Sequence, residues 1–162
     1  MTLPDPRPAQ EIAEQRIDVL ASAPVRVLSE TEDDDPDLIA IADVVIGVGT
    51  GVPPEEYELL EPLRVALGAE LAASRRVTDK GWLPHSRQVG ITGRHISPRL
   101  YIAIGIAGKA NHMIGVRNAA RVLAINNDPT APVFDHADLG IVADWHDVVP
   151  LLTTALAGIT TS

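Results

Sequence analysis

The sequence predicts an α/β domain, a doubly wound and mainly parallel sheet with helices on both faces. Two observations carry that expectation. From Asp43 onward, short apolar runs alternate with turn residues and helical segments. Several of the runs are apolar on successive residues, as in Tyr101-Ile102-Ala103-Ile104 and Val122-Leu123-Ala124-Ile125. A strand wet on one face alternates apolar with polar, whereas an unbroken apolar run suits a strand covered on both faces. Strand followed by helix, repeated, is the chain order of a Rossmann-like fold.

Taken in order, residues 1–40 read as an arm or linker. Pro4, Pro6 and Pro8 open the chain, a short helix is expected near Gln10 to Leu20, and residues 31–37 form an acidic stretch whose plain reading is a solvated loop. Residues 41–162 read as the folded domain. Its candidate strands are residues 44–46, 69–73, 88–90, 100–104, 121–125 and 140–143. Candidate helices are residues 54–67, 109–116 and 147–157, the first with Pro54 and Glu55 at its start and Gly68 just past its end. There is no internal repeat.

Composition narrows the function. At 162 residues the chain has the size of one domain. Its hydrophobic fraction of 46% is carried by aliphatic residues, since aromatics make up only 3%, so the core is expected to be close-packed and aliphatic. A net charge of −9 repels polyanions and argues against nucleic acid as a partner. No apolar run approaches the ~18 residues of a membrane span, and residues 1–8 lack the features of a signal peptide, so the expected compartment is the cytosol. With no cysteine, thiol chemistry and Cys-ligated clusters are excluded, and any redox chemistry belongs to a bound cofactor. His85, His95, His136 and His146 show no metal-ligand spacing, and neither Gly-x-Ser-x-Gly nor a P-loop is present.

Open parallel sheets bind ligands beyond the carboxyl ends of their strands, so those junctions hold the candidate site. They carry Gly47-Val48-Gly49-Thr50-Gly51, Ser74-Arg75-Arg76, Ile91-Thr92-Gly93-Arg94, Gly105-Ile106-Ala107-Gly108, Asn126-Asn127-Asp128-Pro129 and Asp144. The first loop, taken singly, reads more readily as a plain tight turn than as a phosphate loop, because it lacks the last spacing of the dinucleotide fingerprint. Gly105 to Gly108 joins a buried strand to a helix, and serves either as ordinary strand-to-helix geometry or as bare backbone for a diphosphate. Arg75, at the end of a buried strand, calls for a carboxylate, an exposed pose or a ligand. His112 falls in the first turn of a helix, where the positive end disfavours protonation; the alternative is a satisfied structural histidine.

Five ordered segments then carry a family resemblance. They are residues 68–75 (GAELAASR), 88–93 (QVGITG), 98–108 (PRLYIAIGIAG), 124–134 (AINNDPTAPVF) and 137–144 (ADLGIVAD). The stretch from Asp43 to Leu156 resembles the C-terminal, FAD-binding domain of electron transfer flavoprotein α subunits. The resemblance implies a bound FAD that passes electrons singly between flavoprotein dehydrogenases and a downstream oxidoreductase, an electron carrier rather than a substrate-converting enzyme. It implies that Arg75 lies against the isoalloxazine, that Thr92 bonds the flavin N5 and that His112 sits beside the pyrimidine carbonyl. It further implies that Ser74, Gln88, Gly105, Ala107 and Gly108 line the cofactor, and that Asn126 and Asp144 hold its adenosine half.

The departures from the family pattern are specific. Thr50 stands in place of an arginine, Ile91 in place of a common glutamine and Ala107 in place of a common serine. Loss of a charge-assisted bond of about 1.5 to 3 kcal/mol would weaken FAD binding roughly tenfold to a hundredfold. These losses motivate the alternative of a non-redox nucleotide-binding or regulatory module on the same fold. Family α subunits also carry an N-terminal domain that packs on a β subunit, whereas about forty residues precede the domain here. The chain is therefore expected to be either a piece of such a subunit or a stand-alone relative. A β subunit, a flavoprotein dehydrogenase or a second copy of the chain are its candidate partners.

Overall fold

A computed structural model describes residues 38–160. The expected short helix near Gln10 to Leu20 and the acidic stretch lie outside the described residues. A short helix α1 (Leu38–Ile41) buries Ile39 against the domain core. Strand β1 (Val44–Val48) follows, and then a 3-10 turn (Pro54–Leu60) runs into α2 (Glu61–Leu67). Gly68, at φ 57, closes α2 in the left-handed region, and Arg64 in its last turn bonds the Ala69 carbonyl at 3.1 Å. The next elements are β2 (Glu70–Ala73), α3 (Arg75–Asp79), a 3-10 turn (His85–Arg87), β3 (Leu100–Ile104) and α4 (Ala110–Met113). Strand β4 (Val122–Asn126), a 3-10 turn (Pro132–His136), β5 (Leu139–Val142) and α5 (Trp145–Thr160) complete the described chain.

The five strands form one parallel sheet in the order β2-β1-β3-β4-β5. The chain steps from β1 to β2 over one face and returns through β3, β4 and β5 over the other, as the single handedness of parallel crossovers requires. The inner strands β1, β3 and β4 consequently bury both faces, whereas β5, at the edge, leaves Leu139 and Val142 exposed. Ile46, Val48, Ile102, Ile104 and Ile125 pack with Leu63, Val148 and Val149 of α2 and α5. Val45, Tyr101, Ala103, Val122 and Ala124 pack with Ile39, Val89, Ile96, Met113 and Val133. This second face is covered by α1, α4 and loops rather than by long helices.

Residues 88–90, expected as a strand, are not one. Gln88 and Val89 make single parallel bridges to Ala73 and Arg94, and at Gly90 the backbone turns to φ 137. The chain leaves the ladder because Ile91 N–H donates to the Asn111 carbonyl at 2.7 Å, so the 90–93 turn docks on α4 instead of on β2. The helix expected over 109–116 is likewise one turn, Ala110–Met113, continued by non-helical turns.

One layer across the sheet carries no side chain larger than a methyl. The register aligns Ala72, Gly47, Ala103, Ala124 and Gly140 on neighbouring strands, one from each. Aromatic rings fill the space so left. The Tyr101 ring lies over Gly47, where a methyl group would collide with its hydroxyl, and the Phe134 ring lies 2.6 Å from where a Gly140 methyl would sit. Gly47→Ala should therefore destabilise the domain by roughly 1 to 3 kcal/mol, the usual effect of overpacking. Denaturant unfolding measures it, and a loss near zero would mean that the ring moves aside freely.

Candidate functional site

The sheet reverses its chain order between β1 and β3, and the strand tips open there on two adjoining cavities, of about 210 and 310 Å³. Thr50, Gly105 and Ala107 line both, so the cavities are two lobes of one trough. Glycine permits the floor between them. The Gly105 carbonyl occupies the place of a Gly49 side chain, while Gly51 N–H donates to that carbonyl at 3.3 Å. The two loops thus pack backbone on backbone, with Gly105 at φ 62 and Gly108 at φ 77. Thr50, Ile106, Ala107 and Gly108 line the first lobe here, and their N–H groups donate to no acceptor among the described residues. Four unengaged donors in one concave wall suit an anionic oxygen-rich ligand.

The first lobe gathers Ser74, Arg75, Thr92, Gly105, Ala107, Gly108 and His112, seven of the ten expected site residues. Arg75 opens α3 rather than ending β2, and its side chain is exposed, with only a loose contact to Asp79 at 3.4 Å. The structural ion pair weighed for it is therefore weak, which leaves the guanidinium available to a ligand. Gln88 is in neither lobe. It is buried, accepts from Thr78 Oγ1 at 2.5 Å and from His85 Nδ1 at 3.1 Å, and donates to Thr92 Oγ1 at 2.9 Å. With its oxygen occupied as acceptor, Thr92 keeps its hydroxyl hydrogen free to donate.

His112 is buried beneath the lobe, with Nε2 2.8 Å from the Tyr101 hydroxyl. Burial pushes its pKa down to about 4, an effect that the nearby Val89 backbone carbonyl partly offsets. That carbonyl acts on the ring electrostatically, yet no bond of proper geometry reaches Nδ1, which is buried without a partner. An orphaned imidazole nitrogen at the wall of a cavity fits a ligand that supplies the missing partner.

The second lobe gathers Asn126 and Asp144 with Gly105 and Ala107. Asn126 ties loops together: its amide donates to the Ile106 carbonyl at 2.9 Å, and its oxygen accepts from Asp128 N–H at 2.9 Å. Asp144 accepts from His146 N–H at 2.9 Å and from His146 Nδ1 at 2.6 Å. The opposite edge of that ring lies 3.0 Å from Glu56, and the ring stacks on Trp145 with 3.9 Å between centroids. Trp145 in turn donates to the Gly51 carbonyl at 3.1 Å. These bonds join the loop after β1 to the loop after β5.

Residues 38–117 match the family model described as the electron transfer flavoprotein FAD-binding domain. These residues belong to that electron transfer flavoprotein domain family. It is 44% identical over 133 residues to the "Protein FixB" of Bradyrhizobium diazoefficiens, covering 80% of this chain and 36% of that one. It is 40% identical over 157 residues to the "Probable electron transfer flavoprotein subunit alpha, mitochondrial" of Caenorhabditis elegans, covering 92% and 47% respectively. The chain thus spans less than half the length of these relatives. The family match covers every residue that lines the first lobe, whereas Asn126 and Asp144 lie beyond it.

Several residues are given no role by the sequence, although Arg76 is part of the Ser74-Arg75-Arg76 junction. Arg76 and Lys109 join Arg75 in the first lobe, whose lining includes no carboxylate, whereas Asp128 and Asp144 line the second. The trough is cationic at one end and acidic at the other, and the two added cations stand in the lobe bordered by Thr50. Lys109 follows the glycine loop directly, a position that could have been flagged. Tyr101, Trp145, His146 and Glu56 gave no such signal, because their pairing depends on residues up to 94 positions apart.

Both nitrogens of His146 face carboxylates, and only the imidazolium can donate to both at once. Its pKa is raised by the bond to Asp144 first and then by Glu56, while Asp144 is held below its ordinary value by the His146 N–H and ring. The clasp therefore contributes fully below the unfolded histidine value near 6.5 and fades as pH rises through the higher folded one. Its carboxylate side is present above about pH 3.9 and lost as pH falls through the depressed value of Asp144. In an NMR titration His146 should ionise above the ordinary histidine range, and Glu56→Gln should bring it down. An unmoved midpoint in that variant would mean that Glu56 does not hold the ring.

Proposed function

We propose that the trough holds one FAD along its length, and that the domain carries electrons one at a time between flavoprotein dehydrogenases and an acceptor oxidoreductase. The observation that carries this reading is that Thr50, Gly105 and Ala107 line both lobes, beside N–H groups of Thr50, Ile106, Ala107 and Gly108 that have no acceptor among the described residues. That seam suits a diphosphate, with the isoalloxazine at the Arg75 end and the adenosine at the Asp144 end. FAD supplies the one-electron chemistry when bound; the chain supplies position and charge. Arg75, Arg76 and Lys109 favour negative charge gained on reduction. Thr92, held by Gln88, and His112, held by Tyr101, offer donors to the polar edge of the ring system. Similarity to relatives named as electron transfer flavoprotein α subunits supports a β subunit or dehydrogenase as partner.

Purified protein titrated with FAD should show shifted flavin absorption bands and saturate at one FAD per chain. Folded protein that leaves the flavin spectrum unchanged would remove the electron-carrier reading in favour of the non-redox module. Arg75→Ala should lower the flavin midpoint potential, on the order of 40 mV for a loss of about 1 kcal/mol in a one-electron step. Asp144→Ala should instead weaken affinity roughly tenfold to a hundredfold with little change in potential. An unchanged midpoint in the Arg75 variant would refute its place beside the ring.

A further inference from the structure

We propose that Tyr101 is a positioning residue for His112: its hydroxyl donates to Nε2 and so fixes the tautomer that carries its proton on Nδ1. The geometry leaves little choice. Tyr101 is wholly buried on β3, its hydroxyl lies above Gly47, and the nitrogen 2.8 Å away is the partner that the described residues give it.

Two arrangements satisfy that distance. If the phenol donates to Nε2, the pair leaves one group without a bond, the Nδ1 N–H. If Nε2 donates to the phenol, two groups are left: the phenolic hydrogen, which has no other acceptor, and the Nδ1 lone pair, which has no donor. In a site with no water access the first is favoured, because each orphaned polar group carries a desolvation cost. The Val89 carbonyl close to the ring acts in the same direction, attracting an N–H and repelling a lone pair.

The consequence rests on the FAD reading given above. His112, which lines the first lobe, then carries its proton on Nδ1, the buried nitrogen without a hydrogen-bond partner, and in the FAD reading a carbonyl oxygen of the flavin pyrimidine would be that partner. It is a fixed donor and cannot act as a base through Nε2, whose lone pair the phenol occupies. Gly47 belongs to the same device, since any side chain there would displace the phenol. The three residues come from β1, β3 and α4, so the tautomer is set by the packing of the sheet.

The test needs no cofactor. Protein labelled with ¹⁵N in its histidines, free of FAD, should show His112 with a protonated Nδ1 and an unprotonated Nε2 by long-range ¹H–¹⁵N NMR, from pH 8 down to about 5.5. Tyr101→Phe should move His112 to the opposite tautomer or to a mixture, with the remaining amide spectrum retained. A protonated Nε2 in the unmodified protein, or an unmoved tautomer in a folded Tyr101→Phe protein, would overturn the proposal. Should Tyr101→Phe not fold, the tautomer in the unmodified protein decides alone. With FAD added, Tyr101→Phe should weaken binding roughly threefold to tenfold, the share of one hydrogen bond. If the unmodified protein shows the expected tautomer but takes up no FAD, the cofactor reading fails while the role of Tyr101 stands.

Discussion

Backbone where side chains would otherwise stand, at the tips of β1 and β3, is the constraint on which the rest depends. Gly47 makes room for the Tyr101 ring, and Gly49 admits the Gly105 carbonyl. The first clearance sets the bond that orients His112; the second lets two loops meet as bare peptide and lines the trough with four residues whose N–H groups have no acceptor among the described residues. Had either position carried a methyl group, the loops would separate or the ring would be expelled, and the two lobes would no longer share a floor. A fold-level rule and a residue-level one coincide here, for β1 and β3 flank the point at which the sheet reverses its chain order.

Charge is then distributed along the trough against the background of an acidic protein. A chain with net charge −9 repels anions at long range, yet Arg75, Arg76 and Lys109 stand together at one lobe with no carboxylate among its lining residues. The second lobe is polar and acidic, and its side chains are largely engaged with one another: Asn126 with the loops after β3 and β4, Asp144 with His146. Rigid, mutually bonded groups at the acidic end suit holding the adenosine half of the ligand in place. Exposed cations and unengaged donors at the other end suit a group whose charge changes.

Much of the sheet was legible in the sequence: inner strands buried on both faces announce themselves as unbroken apolar runs, and five of the six expected strands, the exposed edge strand β5 included, overlap observed ones. Residues 88–90 misled for a physical reason: Gln88-Val89-Gly90 has the apolar centre of a short strand, but Gly90 and Gly93 let the turn fold onto α4, a tertiary contact that no local pattern encodes. The lining of the candidate trough was legible at strand tips, as with Ser74, Gly105 and Gly108, and in the first turns of the helices beyond them, as with Arg75 and His112. Bonds between distant residues were not. Gln88 behind Thr92, Tyr101 beneath His112, and Glu56 against His146 depend on register and loop closure, and each involves a residue unremarkable on its own.

The account stands or falls on a single ligand lying across both lobes. Backbone ¹H–¹⁵N spectra of the protein titrated with FAD, compared with the same titration using AMP, test this directly. FAD is expected to shift Arg75, Thr92 and His112 of the first lobe, Ile106 to Gly108 of the seam and Asp144 of the second, while AMP shifts the seam and second lobe alone. Perturbations from FAD confined to one lobe, or centred away from the strand tips, would contradict the account.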